Sequence, residues 1–150
     1  MTYMNDCIVE TAQALHRIRD DYLPELSTPG HWQDRYRTMM SLAKQLPTLP
    51  EERRPTTALI EGCESRAWLL HYFDAVENKH YFVFESDARI VKALLAVLLC
   101  QINGMSTEEF KACKLEQCLH QLHLTQHLSQ SRGKGLQAMI KRLQQLQSAL

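Results

Sequence analysis

The sequence predicts an α+β fold in which helices pack a small three-stranded antiparallel sheet. Two segments with helical periodicity come first, three short runs with a period of two residues follow, and helical patterns occupy the rest. Strands that follow one another, rather than alternating with helices, are typical of the α+β class. The chain has 150 residues, 45% of them hydrophobic, with neither internal repeats nor a dividing linker. We therefore expect one domain over residues 1–150.

Apolar residues at helical spacing predict two helices in the N-terminal third. The first covers about residues 6–22, and Pro24 is expected to end it. The second covers about residues 32–46 and stops before Pro47. Residues 47–55 contain three prolines and four charged residues, which predicts an exposed connection without a regular element.

Alternation of side chains predicts the sheet. The candidate strands are a short run at 57–60, a stronger one at 66–73 and a third at 80–85. The second run has largely apolar residues on both of its faces. The interval between the second and third runs contains Asn78, which favours a hairpin.

The C-terminal half is predicted to be helical. Residues 90–99 are apolar nearly all round, which indicates a buried helix that covers the sheet, capped by Ser86 or Asp87 and ended by Asn103-Gly104. Ser106 and Glu109 fit a capping box at the start of a short helix. Further helices are expected at about 114–123 and along the apolar stripe from 136 to 146.

Charge and composition exclude several classes of function. The 17 basic and 17 acidic residues cancel, so no electrostatic surface for nucleic acid or an anionic membrane is expected. The longest apolar stretch is interrupted by Lys92 and is too short to span a bilayer. The N-terminus carries Asn5, Asp6 and Glu10 instead of a signal peptide, which predicts a cytoplasmic protein. The five cysteines cannot all pair within one chain, and a disulfide scaffold is not expected in the cytoplasm, where thiols stay reduced.

Cys63 is the candidate functional residue. It follows Gly62 in the connection between the first two predicted strands, where glycine permits backbone angles closed to other residues. Functional side chains are over-represented on such loops. A thiolate is the nucleophile in disulfide, persulfide and acyl transfer. Two nearby charges would have opposite effects on the pKa of this thiol, because Arg66 would lower it and Glu64 would raise it.

Four stretches, in order along the chain, resemble the motifs of the SufE/CsdE family of sulfur-acceptor proteins. Residues 60–68 resemble its G-C-x-S-x-V-W signature, with Ala67 where the family usually has valine. The other matches are W-x-x-[KR]-Y ending in [KQ]-x-L-P at 32–47, D-S-[DE]-x-x-I-V-[KR]-[GA]-L-[IL]-A-V at 86–98, and L-[ST]-x-S-R-x-x-G-L at 128–136.

The resemblance implies a function and a fold. Family members accept sulfane sulfur from group II cysteine desulfurases, pyridoxal-phosphate enzymes that hold sulfur from L-cysteine as a persulfide. The matching acceptor cysteine is Cys63, and the chain itself is expected to bind neither a cofactor nor a metal. Delivery to a downstream acceptor, in iron–sulfur cluster assembly or another sulfur-transfer pathway, is also implied. The family fold, a small antiparallel sheet packed by helices as in the IscU scaffold, agrees with the predicted element order.

Arg132 and Asp87 match family positions and are candidate supporting residues. An arginine near the reactive loop could stabilise a thiolate or persulfide anion, although Arg132 could equally be a solvated charge that opens a helix. Asp87 could equally be a helix cap. The segment 131–135 could be read as a phosphate-binding loop, but it lacks the full spacing and a preceding strand.

Two other functions remain open. One is a hydrolase in which Cys63 is paired with His71 or His127, for which no oxyanion motif is present. The other is a metal-binding scaffold built from a C-terminal cluster, although no CxxC pair occurs there. The cluster contains Cys113, Cys118, His120, His123 and His127.

Overall fold

The structure, a computed structural model, describes residues 2–27, 30–60, 66–120, 122 and 130–150. Its elements in those ranges confirm the predicted α+β class, with one three-stranded antiparallel sheet. In chain order they are α1 (Thr2–Arg17), a π turn (Ile18–Tyr22), α2 (Leu23–Ser27), α3 (Trp32–Gln45), two 3₁₀ turns (Glu51–Arg53 and Thr56–Ala58), β1 (Leu59–Ile60), β2 (Ala67–Asp74), β3 (Lys79–Ser86), α4 (Arg89–Ile102), α5 (Thr107–Ala112), α6 (Leu115–His120) and α7 (Gln130–Ala149).

The sheet has the strand order β1-β2-β3, and a tight turn joins its two long strands. The Asp74 carboxylate accepts hydrogen bonds from the backbone N–H of Val76 at 3.0 Å and of Glu77 at 3.2 Å. Asn78 completes the turn with a φ of 53°, in the left-handed region that asparagine tolerates. The predicted hairpin is confirmed.

Helices cover both faces of the sheet, as the two apolar faces of the second predicted strand require. On one face, Leu69 and Phe84 belong to the main core, which includes almost every residue of α4. On the other face, Val83 packs with Cys7 of α1 and with Leu49. The prediction that the apolar helix after the sheet is buried is confirmed, because the side chains of residues 93–99 of α4 are fully enclosed.

The prediction that the first helix ends before Pro24 is wrong. Helical backbone continues through Pro24 to Ser27, after a π turn in which Leu23 N–H donates to the carbonyl of Ile18. Proline lacks an N–H and its ring crowds the preceding turn, and a widened turn directly before it accommodates both effects. The continued helix buries Leu26, and the apolar contacts of this side chain stabilise the extension.

The connection after α3 is more ordered than the prediction of an exposed segment allowed. It contains a 3₁₀ turn at Glu51–Arg53, and Leu49 is buried with 1% of its surface exposed. A second 3₁₀ turn, Thr56–Ala58, takes up the start of the predicted first strand, because Ala58 N–H donates to the carbonyl of Pro55 at 3.0 Å. The strand is therefore only Leu59–Ile60.

The ends of the C-terminal helices mostly agree with the sequence. Asn103 caps the end of α4, and Gly104 follows with a φ of 84°, while Ser106 and Glu109 form the predicted capping box of α5. The predicted cap of α4 is wrong, because its N-cap residue is Ala88 and no side chain caps it. Within the described ranges, none of the helices has the length and hydropathy that a membrane span requires.

A histidine pair, made of the buried His80 and the half-buried His71, joins the hairpin to α5. His71 Nε2 lies 2.8 Å from His80 Nδ1, and His80 Nε2 lies 2.8 Å from the Thr107 hydroxyl. The His71 ring also stacks on Phe82, with ring centroids 5.2 Å apart. Burial lowers the pKa of both imidazoles from the usual 6.5, and proximity to His80 lowers the pKa of His71 further. The folded protein therefore favours the neutral form of both rings.

We expect this pair to weaken the fold in mild acid. Below pH 6.5 the unfolded chain binds protons that the folded pair resists, so the free energy of unfolding should fall as the pH drops from 7.5 to 5.5. His71→Phe should reduce that fall, and His16→Gln, a change at an exposed histidine, should not. Urea unfolding of the three proteins at both pH values measures the effect, and an equal pH dependence in all three would contradict it.

Candidate functional site

The structure describes the strand ends on both sides of the predicted reactive loop. Ile60, the last residue of β1, lies opposite Ala67, the first residue of β2, so the connection 61–66 starts and ends on neighbouring strands. Gly62 and Cys63 lie outside the described residues. Arg66, the last residue of the connection, is described and exposed.

Arg66 and Asp87, two residues predicted to support the site, are in direct contact. Arg66 Nε donates to the Asp87 carboxylate at 2.9 Å. Their backbones are also joined, because Asp87 N–H donates to the Arg66 carbonyl at 3.0 Å and the Ser86 hydroxyl donates to the same oxygen at 3.1 Å. The end of β3 therefore holds the residue at which the connection re-enters the sheet. The role of Asp87 here is to pair with arginine, not to cap α4.

Arg54, which no sequence motif indicated, lies in the same cluster. Its Nε donates to the Leu49 carbonyl at 2.7 Å, and its Nη1 lies 3.9 Å from the Asp87 carboxylate. Its guanidinium stacks over the Trp68 ring at 4.7 Å, and the Arg66 guanidinium lies 5.2 Å from the same ring. With only 13% of its side chain exposed, Arg54 is fixed by packing as well as by charge.

A buried ion pair supports this cluster from inside. Lys92 Nζ lies 3.0 Å from the Glu85 carboxylate, and the two side chains are 10% and 5% exposed. Glu85 also accepts the N–H of Leu49 at 2.9 Å and of Ser86 at 3.0 Å, while Lys92 approaches the Pro47 carbonyl at 3.4 Å. Each charge therefore has hydrogen-bond partners beyond its counterion, which buried charges require.

The contacts form one continuous polar path from the core to the base of the connection. It starts at Glu85, passes through Leu49 to Arg54, and reaches Arg66 through Asp87. Asp87 faces two guanidinium groups, and Glu51 lies 3.8 Å from that of Arg66, so two carboxylates oppose the two positive charges of the cluster. The arrangement is suited to holding the backbone around the connection in place.

The structure also bears on the other predicted site residues. His71 lies within β2 and binds His80, which opposes its use as a catalytic partner of Cys63. Residues 131–135 lie within α7, which excludes a phosphate-binding loop there. For Arg132 the structure gives a helical backbone position in the first turn of α7. His123 and His127 lie outside the described residues. Among the residues that the structure does describe, no three or more metal-ligating side chains form a group.

Sequence reasoning missed Arg54 and the ion pair, although one signal was present. Lys92 interrupts an otherwise apolar helix, and a lysine enclosed in a core almost always has a partner of opposite charge. Two acidic residues precede that helix, Glu85 at the end of the last predicted strand and Asp87, and the structure pairs Lys92 with Glu85. Arg54 had no such signal, because it stands among four charged residues in the connection.

Comparisons with known proteins agree with these motifs. The family described as "SufE: Fe-S metabolism associated domain" matches residues 20–147. The sulfur acceptor protein CsdE of Escherichia coli K12 is 42% identical over 108 residues, 72% of this chain and 73% of that protein. Uncharacterized SufE-like proteins of Rhizobium meliloti and Rhizobium etli are 33% and 34% identical, over 83% and 88% of this chain and 90% and 88% of theirs.

We expect Lys92→Met to be strongly destabilising, because it leaves the Glu85 carboxylate buried without its counterion. Loss of one partner of a buried pair typically costs about 3–5 kcal/mol. The double variant Glu85→Gln/Lys92→Met removes both charges and should recover part of that loss. Lys44→Met, at an exposed position of α3, should change stability by no more than about 0.5 kcal/mol. Chemical denaturation measures all three, and a Lys92→Met loss as small as that of Lys44→Met would contradict the role of the pair.

Proposed function

The chain belongs to the SufE family, and we propose that it is a sulfur acceptor that takes persulfide sulfur from a cysteine desulfurase onto Cys63. The observation that carries the proposal is the family match over residues 20–147, with the cysteine of the G-C-x-S motif at position 63. The described strand ends support it, since they bracket that cysteine in a short connection at one end of the sheet.

The proposed reaction is a thiol–persulfide exchange. The Cys63 thiolate attacks the outer sulfur of the desulfurase persulfide, and a new S–S bond forms as the old one breaks. The electron pair of the broken bond stays on the desulfurase cysteine, which is released as a thiolate. Cys63 then carries the persulfide to the next acceptor. The two cysteines exchange one sulfur atom with no net oxidation, so this chain needs no cofactor; pyridoxal phosphate belongs to the desulfurase.

The cluster around Asp87 supports a positioning role. We propose that Arg66 and Asp87 fix the point at which the Cys63 connection re-enters β2, and that Gly62 provides backbone freedom next to the cysteine. Because Asp87 already pairs with Arg66 at 2.9 Å, this arginine is a weak source of positive charge for a persulfide. We therefore assign stabilisation of the persulfide anion to Arg132.

The proposal includes the partners and the compartment. The donor is a group II cysteine desulfurase whose turnover the acceptor stimulates by removing the persulfide. The recipient is a downstream acceptor in iron–sulfur cluster assembly or another sulfur-transfer pathway. A carrier must leave after loading, so the interface with the desulfurase should be small and transient. The cytoplasm, where thiols stay reduced, suits a persulfide carrier.

Cys63→Ser should abolish stimulation of the desulfurase while binding to it survives. Serine differs by one atom, but its hydroxyl is far less acidic and cannot form a persulfide. The measurements are sulfide release by the desulfurase with L-cysteine, and affinity by calorimetry. Stimulation by the Cys63→Ser protein at the wild-type level would contradict the proposal.

The control for Cys63→Ser replaces the other four cysteines together, at positions 7, 100, 113 and 118. Two of those thiols, Cys7 and Cys100, are buried, and burial raises the pKa of both, to about 12 for Cys100. A protein with Cys63 as its only cysteine should therefore stimulate the desulfurase as the wild type does. Loss of stimulation with the fold intact would mean that another thiol takes part.

Arg132→Ala should slow sulfur transfer about tenfold, the effect of losing one charge-assisted contact of about 1.4 kcal/mol to the anion. We expect the free energy of unfolding to change by no more than about 0.5 kcal/mol, because the proposed contact is with the persulfide and not with the rest of the chain. Lys134→Ala is the matched control, because it removes an exposed positive charge from the same end of α7. Single-turnover transfer with a preloaded desulfurase measures the rates. Equal rates for both variants would mean that Arg132 does not stabilise the persulfide anion.

A further inference from the structure

Two thiols meet at the corner between α5 and α6, two helices to which the proposed sulfur transfer assigns no residue. Cys113 is the residue that ends α5, and Cys118 lies within α6. Their sulfur atoms are 3.8 Å apart, and both residues are half-buried. The other two described cysteines, Cys7 and Cys100, are buried. The corner therefore presents a close pair of thiols that a small reagent can approach.

Side chains from two other helices fix the backbone of this pair. Gln147 Nε2 of α7 donates to the Cys113 carbonyl at 2.9 Å, and Gln101 Nε2 of α4 donates to the Cys118 carbonyl at 3.0 Å. Gln147 also donates to the Phe110 carbonyl at 2.7 Å, which holds the end of α5. Since both backbones are already held, the two thiols are brought together without further loss of chain entropy.

We infer that Cys113 and Cys118 form a redox-active dithiol, which low-molecular-weight disulfides such as oxidised glutathione convert to an intramolecular disulfide. A disulfide bond is about 2.05 Å long, so the sulfur atoms must approach by less than about 2 Å from their present separation of 3.8 Å. Rotation of the two side chains about their Cα–Cβ bonds supplies a movement of that size. The inference uses none of the residues assigned to sulfur transfer.

The reaction balances as two successive thiol–disulfide exchanges. The first thiol attacks oxidised glutathione, forming a mixed disulfide and releasing one glutathione. The second thiol attacks the protein sulfur of that mixed disulfide and releases the second glutathione. The two protein cysteines are oxidised, one glutathione disulfide is reduced, and the two thiol protons end on the two glutathione molecules.

The surroundings of Cys118 decide the order of the two cysteines, because its thiol donates to the Lys114 carbonyl at 3.7 Å, a contact that only the protonated form makes. Burial and the neighbouring Cys113 thiol raise the pKa of Cys118 to about 12, so Cys118 is a poor attacking group toward an external disulfide. Cys113 is therefore the thiol that attacks first. Cys118 needs to react only with a sulfur atom already beside it, where proximity compensates for its small thiolate fraction.

Trypsin offers a direct test, because Lys114 lies between the two cysteines. The full chain is incubated with oxidised glutathione, free thiols are alkylated, and the protein is digested without reductant. The inferred disulfide joins peptide 112–114 to peptide 115–132, and dithiothreitol separates them. Joining of peptide 93–111, which contains Cys100, to peptide 115–132 would overturn the pairing, as would full alkylation of Cys113 and Cys118.

Single substitutions test the order of reaction. Cys118→Ser should stop at the first step and accumulate glutathione on Cys113, whereas Cys113→Ser should acquire glutathione on Cys118 at least tenfold more slowly. Cys100→Ser is the matched control, because it removes a neighbouring thiol and should leave the joined peptides unchanged. Faster modification of Cys118 than of Cys113 would overturn the assignment of Cys113 as the attacking thiol.

Discussion

The buried pair of Glu85 and Lys92 is the constraint on which the ordered surroundings of the site depend. Two opposite charges stay inside a protein only if every remaining hydrogen-bonding position is satisfied. Here that requirement draws the N–H of Leu49 to Glu85 and the Pro47 carbonyl toward Lys92, so the connection after α3 must lie against β3 and α4. The same connection then delivers Arg54 to Asp87.

The path from the ion pair explains how a short connection with few apolar residues can be held firmly at its base. Arg54 and Arg66 share Asp87 and lie over the Trp68 ring, which adds apolar and cation–π contact to the charge pairing. A sulfur carrier needs a cysteine that reaches a partner's active site and a scaffold that stays fixed while it does so. In the proposed function, the ion pair and the arginines supply the fixed part.

Periodicity predicted the elements wherever one pattern dominated a stretch of sequence. The hairpin, the buried α4 and the capping box of Ser106 were all predicted correctly, because each depends on local patterns. Pro24 and Leu49 were assigned wrongly for different reasons, because the hydrophobic pattern does not reveal a π turn and because the contact that holds Leu49 is distant in sequence. A π turn accommodates the proline, and a glutamate 36 residues away holds the leucine.

The residues of the candidate site also divide into those that a local sequence signal indicated and those whose contacts only the structure reveals. Arg66 was nominated by its charge near Cys63 and Asp87 by a motif, and the structure adds their direct contact, which a separation of 21 residues conceals in the sequence. The role of Asp87 as a partner of arginine was not predictable, because an aspartate before a helix equally well reads as a cap. The spacing of Cys113 and Cys118 is visible in the sequence, yet only the turn between two helices brings their sulfur atoms to 3.8 Å.

Locating the transferred sulfur on the wild-type chain tests the central claim most directly. Trypsin does not cleave between Arg54 and Pro55, so peptide 54–66 contains Cys63 as its only cysteine. After incubation with a cysteine desulfurase and L-cysteine, and capping of persulfides by alkylation, mass spectrometry should find one additional sulfur atom on this peptide, removable by dithiothreitol. Additional sulfur on peptides containing the other cysteines, with peptide 54–66 unmodified, would contradict the account.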